Sequence, residues 1–422
     1  MDTSKDVVRQ ALAHRQPSRV PVDFGATTTT GIHCSVVAAL RDHFGLEKRL
    51  VKIHEPFQML GYVEEDLREA MGVDTVPAMP LANMFGVPVG DDWEEWRTWW
   101  GQTVLMSAGM ALDRTPEGEY VAYPQGDRSA PPSARMPASG YFFDAIIRQG
   151  EFDEDDPDPK DNLEEFGLLG DDQLEAILRN ARAAAAGGKA VVSGLPGTAI
   201  GDIACVPAIQ LKCPKGIRDV AEWYMSVAAR PEFVGEVFAR QTDIALENLA
   251  KIHATVGDLY DAVFVCGTDF GTQISTFCSK ESFLELYAPS YKRLNDWIHA
   301  NTGWKTFKHS CGAIEPFIQP LIDCGFDILN PVQCSATGME PEHLKKAYGD
   351  RIVFWGGGVD TQQVLPFGAP AQVREQVLER CRIFSPGGGF VFTAIHNVQA
   401  LTPTENVVAM LDAVKEFNAA GR

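Results

Sequence analysis

The stretch Trp304-Lys305-Thr306-Phe307-Lys308 runs directly into His309-Ser310-Cys311-Gly312, so a strand-like segment ends in residues capable of chemistry. Two further segments end in the same way: residues 390–395 lead into His396-Asn397, and residues 262–265 lead into Cys266-Gly267. In a barrel of alternating strands and helices, the carboxyl ends of the strands form the face that carries the active site. These three junctions therefore predict that the reactive residues share one face.

Alternation of strand-like and helix-like segments extends this pattern through the second half of the chain. Strands are predicted at residues 190–193, 262–266, 304–309, 327–331, 352–355 and 390–395, and helices at residues 279–301, 314–323, 341–349, 371–384 and from 402 onward. Nearer the amino terminus, residues 20–24 are strand-like, and residues 35–44 and 62–71 have helical patterns. Such alternation is typical of a mostly parallel sheet, and about eight units of this kind predict a TIM (β/α)8 barrel.

Residues from about 85 to 165 break the alternation. They contain Trp93, Trp96, Trp99 and Trp100, then a proline pair at 131–132 and an acidic run at 151–156. The pattern predicts an antiparallel hairpin insertion followed by a polar loop, within a single barrel domain that spans residues 1–422. The tryptophans could cover a ligand, but large aromatic side chains more often form the local core of an insertion, and that interpretation is preferred.

Composition excludes several classes of function. The 422 residues include 37 basic and 57 acidic side chains, for a net charge of -20, which argues against a nucleic-acid or anionic-membrane surface. No run approaches the roughly 18 apolar residues of a membrane span, and no secretory signal is seen at the amino terminus. Nine cysteines without paired spacing fit free thiols better than disulfides, so we expect a cytoplasmic protein.

A metal site is the sharpest chemical prediction. His309 and Cys311 are two residues apart, so in an extended segment both side chains point to the same side and can reach one metal ion. Imidazole and thiolate together favour zinc. His396 ends the last predicted strand and is the expected third ligand, and Cys266 is a weaker fourth candidate, since a free cysteine is more often a buried apolar residue. Three protein ligands with one open position indicate a catalytic site.

Two aspartates are predicted to be catalytic. Asp269 follows a strand in a glycine-flanked loop, where a carboxylate could orient a histidine, bind a cation or act as a general base. Asp360 follows the glycine triplet 356–358 and has the same functional interpretation, although a turn aspartate bonded to its own backbone explains either position. The pairs His33-Cys34 and His54-Glu55 have no partner at a fixed spacing and are interpreted as structural. Neither a phosphate-binding loop nor a Gly-x-Ser-x-Gly motif is present in the sequence.

At these residues the chain resembles the uroporphyrinogen decarboxylase superfamily, and specifically its methyltransferase-like branch. The resemblance covers nearly the whole chain and rests on these segments: Arg19-Val20-Pro21-Val22-Asp23, Asp269-Phe270-Gly271-Thr272-Gln273, His309-Ser310-Cys311-Gly312, Asn330-Pro331-Val332-Gln333, Trp355-Gly356-Gly357-Gly358-Val359-Asp360-Thr361-Gln362, and Gly388-Gly389-Phe390 through Pro403-x-Glu405-Asn406. The resemblance implies a strand-helix barrel. It also implies zinc held by a His-x-Cys pair and a cysteine near the last strand, a position that His396 takes here.

The function implied by the resemblance is zinc-dependent transfer of a methyl group between a corrinoid carrier, or a methylated small molecule, and a thiol-type or other acceptor. No Asp-x-His-x-x-Gly corrinoid signature occurs in the sequence, so a cobamide would come on a separate protein. Decarboxylation of a uroporphyrinogen-like or smaller acid is the alternative, but residues 22–27 lack the arginines with which the porphyrinogen decarboxylases hold carboxylates. A binding protein for a corrinoid or methylated ligand is a third, non-enzymatic interpretation. Family analogy also implies a homodimer.

Overall fold

The computed structural model describes residues 2–150 and 157–421, so the acidic run predicted as a polar loop at 151–156 lies outside the described residues. The strands of these residues are numbered in chain order: β1 (Val51–Glu55), β2 (Leu60–Gly61), β3 (Thr75–Ala78), β4 (Trp93–Arg97), β5 (Thr103–Ser107), β6 (Leu112–Arg114), β7 (Tyr120–Ala122), β8 (Ala134–Met136), β9 (Asp144–Ala145), β10 (Ala190–Gly194), β11 (Ala262–Cys266), β12 (Lys305–His309), β13 (Ile328–Asn330), β14 (Val353–Trp355) and β15 (Phe390–Val391).

The α-helices are numbered in the same way: α1 (Ser4–Leu12), α2 (Cys34–His43), α3 (Glu65–Met71), α4 (Asp171–Ala185), α5 (Val220–Ala229), α6 (Pro231–Val256), α7 (Lys280–Ser282), α8 (Ala288–Asn301), α9 (Glu315–Asp323), α10 (Pro341–Tyr348), α11 (Val364–Phe367), α12 (Pro370–Phe384) and α13 (Thr404–Ala419). A π-helical turn, Phe283–Tyr287, joins α7 to α8, so the helix predicted at 279–301 is present with one irregular turn. The helices α4 to α6 were not specified by the sequence analysis.

A curled sheet of seven parallel strands organises the molecule, in the order β15-β14-β13-β12-β11-β10-β3. Spatial order follows chain order because helices return the chain to the start of each next strand, as the alternating pattern predicts. The last strand is shorter than predicted: β15 contains Phe390 and Val391, and the backbone beyond it bonds to the loop after β14, with Gly358 N–H donating to Thr393 O at 3.0 Å. The chain is therefore a mixed α/β protein built on a half-barrel sheet.

The segment at residues 20–24 lies between the two ends of this sheet. Val22 forms a parallel bridge with Phe392, just beyond β15, and Asp23 N–H donates to Phe392 O at 2.9 Å. On the other side, Asp74 N–H, next to β3, donates to Val22 O at 2.8 Å. The predicted strand is thus present as a single bridge with backbone bonds to both neighbours.

The predicted insertion contains antiparallel pairs. Strands β4 and β5 form a hairpin, and β6, β7, β8 and β9 form a second antiparallel sheet. The first hairpin extends a sheet with β1 and β2, which sequence analysis did not assign as strands. Trp99, Trp100, Tyr141 and His33 pack with ring centroids 5.1–5.9 Å apart, so these aromatic side chains contact one another and form a local core.

The inside of the curled sheet is filled by apolar side chains, and its base is covered by α1. Phe307 lies 5.4 Å from Phe264 and 5.3 Å from Trp355, measured between ring centroids. The buried side of α1 packs into the same interior cluster, and Gly389 N–H donates to Ala11 O at 3.0 Å. Covering the amino-terminal ends of the strands leaves their carboxyl ends for a site. Within the described residues, every helix is too short or too polar to cross a membrane.

Substitution of Asp74 tests how the amino-terminal segment is held. The carboxylate of Asp74 is 1% exposed, accepts from both terminal nitrogens of Arg19 and accepts Val22 N–H at 3.0 Å. Asp74→Asn is expected to lower the free energy of unfolding by about 2–4 kcal/mol, less than for a fully buried pair because Arg19 is partly exposed. Chemical denaturation measures the change. The control Asp113→Asn, in an exposed pair with Arg128, should leave the midpoint unchanged, and equal effects of the two variants would contradict the prediction.

Candidate metal centre

Three predicted ligands come together at the carboxyl ends of the strands. The Nε2 atom of His309 lies 3.3 Å from Sγ of Cys311, and the rings of His309 and His396 are 5.3 Å apart between centroids at an angle of 71°. One ligand atom from each of the three residues lies within 4.8 Å of those of the other two. These are the distances of a group that could hold a single metal ion.

Close backbone contact fixes the loop that carries Cys311. Gly312 has φ of +90°, and a Cβ atom there would lie 2.3 Å from the carbonyl carbon of Gly271. Ala313 N–H donates to Thr272 O at 2.8 Å beside this contact. A side chain at position 312 would be strained and would push the two loops apart. Glycine therefore holds Cys311 against the loop that contains Asp269.

A hydrogen bond to the neighbouring strand decides which nitrogen of His309 is free. In the register of β12 and β13, His309 is opposite Asn330, and its Nδ1 lies 2.5 Å from the side-chain oxygen of Asn330. An amide oxygen only accepts, so Nδ1 carries the proton and Nε2 presents its lone pair toward Cys311. Asn330 is fixed in turn, because its amide nitrogen donates to Trp355 O at 2.7 Å. Burial lowers the pKa of His309, which keeps the ring neutral.

Asp269 lies beside this pair, as predicted for a residue of the site. Its Oδ1 atom accepts Cys311 N–H at 2.6 Å and lies 3.6 Å from Nε2 of His309. Burial, reinforced by the negative charge of Asp269, raises the pKa of the Cys311 thiol well above its usual range. Cys311 is therefore a protonated thiol in the absence of a cation, and a bound cation would favour its thiolate.

His396 is held in an unusual backbone conformation. Its φ is +69°, and its Nδ1 accepts Asn397 N–H at 2.8 Å. The side chain of Asn397 is anchored by Gly31 N–H at 2.5 Å and by Thr28 O at 2.9 Å. Metal binding through Nδ1 would replace the Asn397 bond, and binding through Nε2 would require the proton to move to Nδ1. His309 is thus ready to bind as it stands, whereas His396 must rearrange locally.

Cys266, the fourth candidate ligand, belongs to a different buried network. Its Sγ lies 2.8 Å from Oγ1 of Thr268 and 3.4 Å from the hydroxyl of Tyr291. The structure does not place it in the group formed by His309, Cys311 and His396.

Asp360 bonds in its own turn, where its Oδ1 accepts Gln362 N–H at 2.8 Å. The catalytic role assigned to Asp360 stays a prediction.

Two titratable residues bond to the backbone of the loops and strand that carry the site. Lys308 is fully buried, and its ammonium donates to Thr268 O at 2.7 Å and to His309 O at 2.6 Å. Burial lowers the pKa of Lys308 and raises that of Asp202, whose Oδ2 accepts Gly267 N–H at 3.1 Å. The sequence analysis did not assign a role to Asp202, because it lies well beyond the end of β10 and no local pattern distinguishes it.

The roles of Asn330 and Asn397 were also missed. Both asparagines were present in the segments that the sequence analysis quoted, and Asn330 is the last residue of β13. The strand-end rule that singled out His309 therefore applied equally to Asn330. What the rule lacked was the register between β12 and β13, which brings the amide to the imidazole.

Comparisons with known proteins agree with this architecture. Residues 208–417, which include all three residues of the candidate metal centre, match the family model for uroporphyrinogen decarboxylase (URO-D). Residues 208–417 therefore belong to the uroporphyrinogen decarboxylase superfamily, which confirms the resemblance seen in the sequence. No curated protein matches the chain.

The solved structures that match the chain include a methyltransferase and a glycosidase. A methyltransferase from Methanosarcina mazei is 15% identical, with 99% of each chain covered and a TM-score of 0.54, so the two share a fold over their full lengths. The beta-glycosidase BGL167 is 14% identical over 64% of this chain and 68% of that one, with a TM-score of 0.28. At these identities, similarity describes the fold and not the reaction.

Histidine titration tests the burial of His396 and of two histidines outside the metal centre, His33 and His54. Burial lowers the pKa of His33, His54 and His396 to about 4, against about 6.5 for an unfolded chain. The unfolded state therefore binds more protons between these pH values, so the free energy of unfolding should fall as pH falls from about 6.5 to 4. Imidazole NMR signals of the metal-free protein, assigned with single histidine-to-glutamine variants, should stay those of neutral rings down to about pH 5. Titration of these rings near pH 6.5 would contradict the described packing.

Proposed function

We propose that the protein is a zinc-dependent methyltransferase that moves a methyl group between a corrinoid carrier, or a methylated small molecule, and a thiol-type or other acceptor. The observation that carries the proposal is the convergence of His309, Cys311 and His396 within 4.8 Å at the strand ends. The shared fold with the Methanosarcina mazei methyltransferase supports it. Any cobamide would be carried by a separate corrinoid protein that docks at this face.

The residues present fit zinc. Two imidazoles and one thiol match its preference for nitrogen and sulfur ligands, and three protein ligands leave one position open. Nε2 of His309 is already oriented by the bond from Nδ1 to Asn330. His396 fits after the change at Nδ1 described above, so we expect His309 and Cys311 to contribute most of the affinity.

The protein groups around the centre have separate roles in the proposed reaction. Zinc, when bound, would supply a Lewis acid that lowers the pKa of a thiol acceptor and makes it nucleophilic at neutral pH. Asn330 keeps the proton of His309 on Nδ1. Asp269 holds the backbone of Cys311 and contributes a negative charge beside Nε2 of His309. Burial of His309 and of the side chains beneath it excludes water from the reacting groups.

The proposal also includes a closed barrel that forms a single domain. Backbone bonds from residues 21–23 to Phe392 and Asp74 support an eighth strand position between β15 and β3. An eight-stranded barrel spanning residues 1–422, with the insertion at about 85–165, would place all three ligands on one closed rim. The cytoplasmic location and the homodimer stay predictions.

Decarboxylation, the alternative function, would need a free cation to hold a substrate carboxylate. The ammonium of Lys308 already donates to two backbone carbonyls. Arg148, from the insertion, donates to the carbonyls of Leu211 and Ala208 at 2.7 and 2.9 Å. These contacts favour methyl transfer over decarboxylation.

Zinc content and methyl transfer measured together test the proposal. Wild-type protein should bind about one zinc ion per chain, the number one catalytic site takes, and demethylate methylcobalamin in the presence of at least one thiol from a panel, followed by its visible spectrum. His309→Ala and Cys311→Ala should each lose bound zinc and lower the rate by more than about 100-fold, beyond the usual effect of outer-shell changes. Cys213→Ala, at an exposed cysteine, is the matched control. Folded variants that retain zinc and activity would overturn the proposed site.

The amide of Asn330 offers a test of ligand orientation. Asn330→Ala removes the partner of His309 Nδ1 but none of the three ligands. The zinc dissociation constant should rise about 10–100-fold, because an unoriented imidazole loses its fixed tautomer and position. Competition with a zinc-binding dye measures the constant. Asn301→Ala, at an exposed asparagine bonded to Trp297 O, is the control, and equal constants for both variants would show that the Asn330 bond does not matter for binding.

A further inference from the structure

A cavity of about 430 Å³ lies at the ends of β1, β3 and β10. Its volume is within the range of roughly 300–1,000 Å³ that is usual for small-molecule sites. The walls are mainly apolar, with contributions from these residues: Ala78, Met79, Leu81, Met84, Leu195 and Phe264. Thr28 also lines the cavity, and its carbonyl accepts from the side chain of Asn397, the residue after His396. None of the three candidate ligands lines the cavity, and this hydrogen bond links its wall to the residue next to His396.

Glu55 gives this cavity its electrostatic character. It is the acidic residue among the lining side chains, it is 2% exposed, and neither lysine nor arginine lines the cavity within the part of the chain that the structure describes. The carboxylate accepts only uncharged donors, Phe57 N–H at 3.0 Å and Gln58 N–H at 2.8 Å. His54 also lines the cavity, and its Nδ1 is buried without a hydrogen-bond partner in the described residues.

A buried carboxylate without a cation is costly, and two chemical changes relieve it: protonation, or a cation in the cavity. Burial raises the pKa of Glu55 to about 7, because the apolar surroundings stabilise the charged carboxylate poorly. The other titratable lining residues do not supply a positive charge, because burial lowers the pKa of His54 to about 4 and the phenol of Tyr260 has no cationic form. Apolar walls around a single carboxylate select a ligand that is largely apolar and positively charged.

We propose that this cavity binds a small organic cation, with the Glu55 carboxylate as its counter-charge and the apolar walls around its alkyl groups. Quaternary ammonium groups have this combination of charge and apolar surface. The inference extends beyond the proposed function, since it assigns a ligand class to a cavity and requires neither zinc nor methyl transfer.

Calorimetric titration with two matched probes tests the proposal. Choline and 3,3-dimethyl-1-butanol have nearly the same shape, but only choline is charged. At pH 8, wild-type protein should bind choline at least tenfold more tightly than the neutral alcohol. Glu55→Gln should remove this preference, and Glu117→Gln, at an exposed glutamate, should keep it. Equal binding of the two probes by wild type, binding of neither probe, or an unchanged preference in folded Glu55→Gln would overturn the proposal.

The pH dependence gives an independent readout. A cation binds the ionised form of Glu55, so choline affinity should fall about tenfold between pH 8 and pH 6 if the pKa is near 7. Glu55→Gln should show no such change. If that variant does not fold, Ala82→Trp provides a second test, because Ala82 is an exposed residue that lines the cavity and a tryptophan there would narrow it. Choline affinity should then fall, and unchanged choline binding would overturn the assignment.

The same titration separates this inference from the proposed function. His309→Ala is expected to lose zinc and still bind choline at wild-type affinity. Loss of choline binding in a folded His309→Ala variant would place the cation at the metal centre and overturn the cavity as its site. A wild-type protein without zinc affinity that binds choline as described would reject the proposed function and leave this inference intact.

Discussion

The hydrogen bond from His309 Nδ1 to the amide of Asn330 is the constraint on which the arrangement of the site depends. It exists because the parallel register of β12 and β13 places these two strand ends opposite each other. The bond fixes both the tautomer and the direction of the ring, so the free nitrogen faces Cys311. Asp269 then holds the backbone of Cys311, and the short contacts of the site follow from these two anchors.

Much of the fold and part of the site could be predicted because both leave local signals. Strands and helices alternate with recognisable ends, and the carboxyl ends of parallel strands necessarily meet at one edge of a sheet. His309, Cys311, Asp269 and His396 were selected as candidates by that rule, and the structure brings these four residues together. The place of a residue at a strand end therefore helps to predict a functional site even when its spacing from other residues in the sequence does not.

Features that depend on distant partners left no such signal. The bond between Asn397 and His396 depends on a positive φ, and the network around Cys266 depends on Tyr291 from α8. Strands β1 and β2 join the insertion through pairing with β5, which local pattern does not reveal. The pair His54-Glu55 was interpreted as structural because it has no partner at a fixed spacing, and the cavity around Glu55 is formed by segments far along the chain.

The contact between Gly312 and Gly271 has a mechanical consequence. With no side chain between them, the two loops meet backbone to backbone, and a Cβ atom at Gly271 would lie 2.7 Å from the nitrogen of Ala313. The loop that contains Asp269 and the loop that contains Cys311 are therefore expected to move together as one unit. A displacement of one loop would therefore carry the other with it, so Asp269 and Cys311 keep their relative positions because two residues have no side chains.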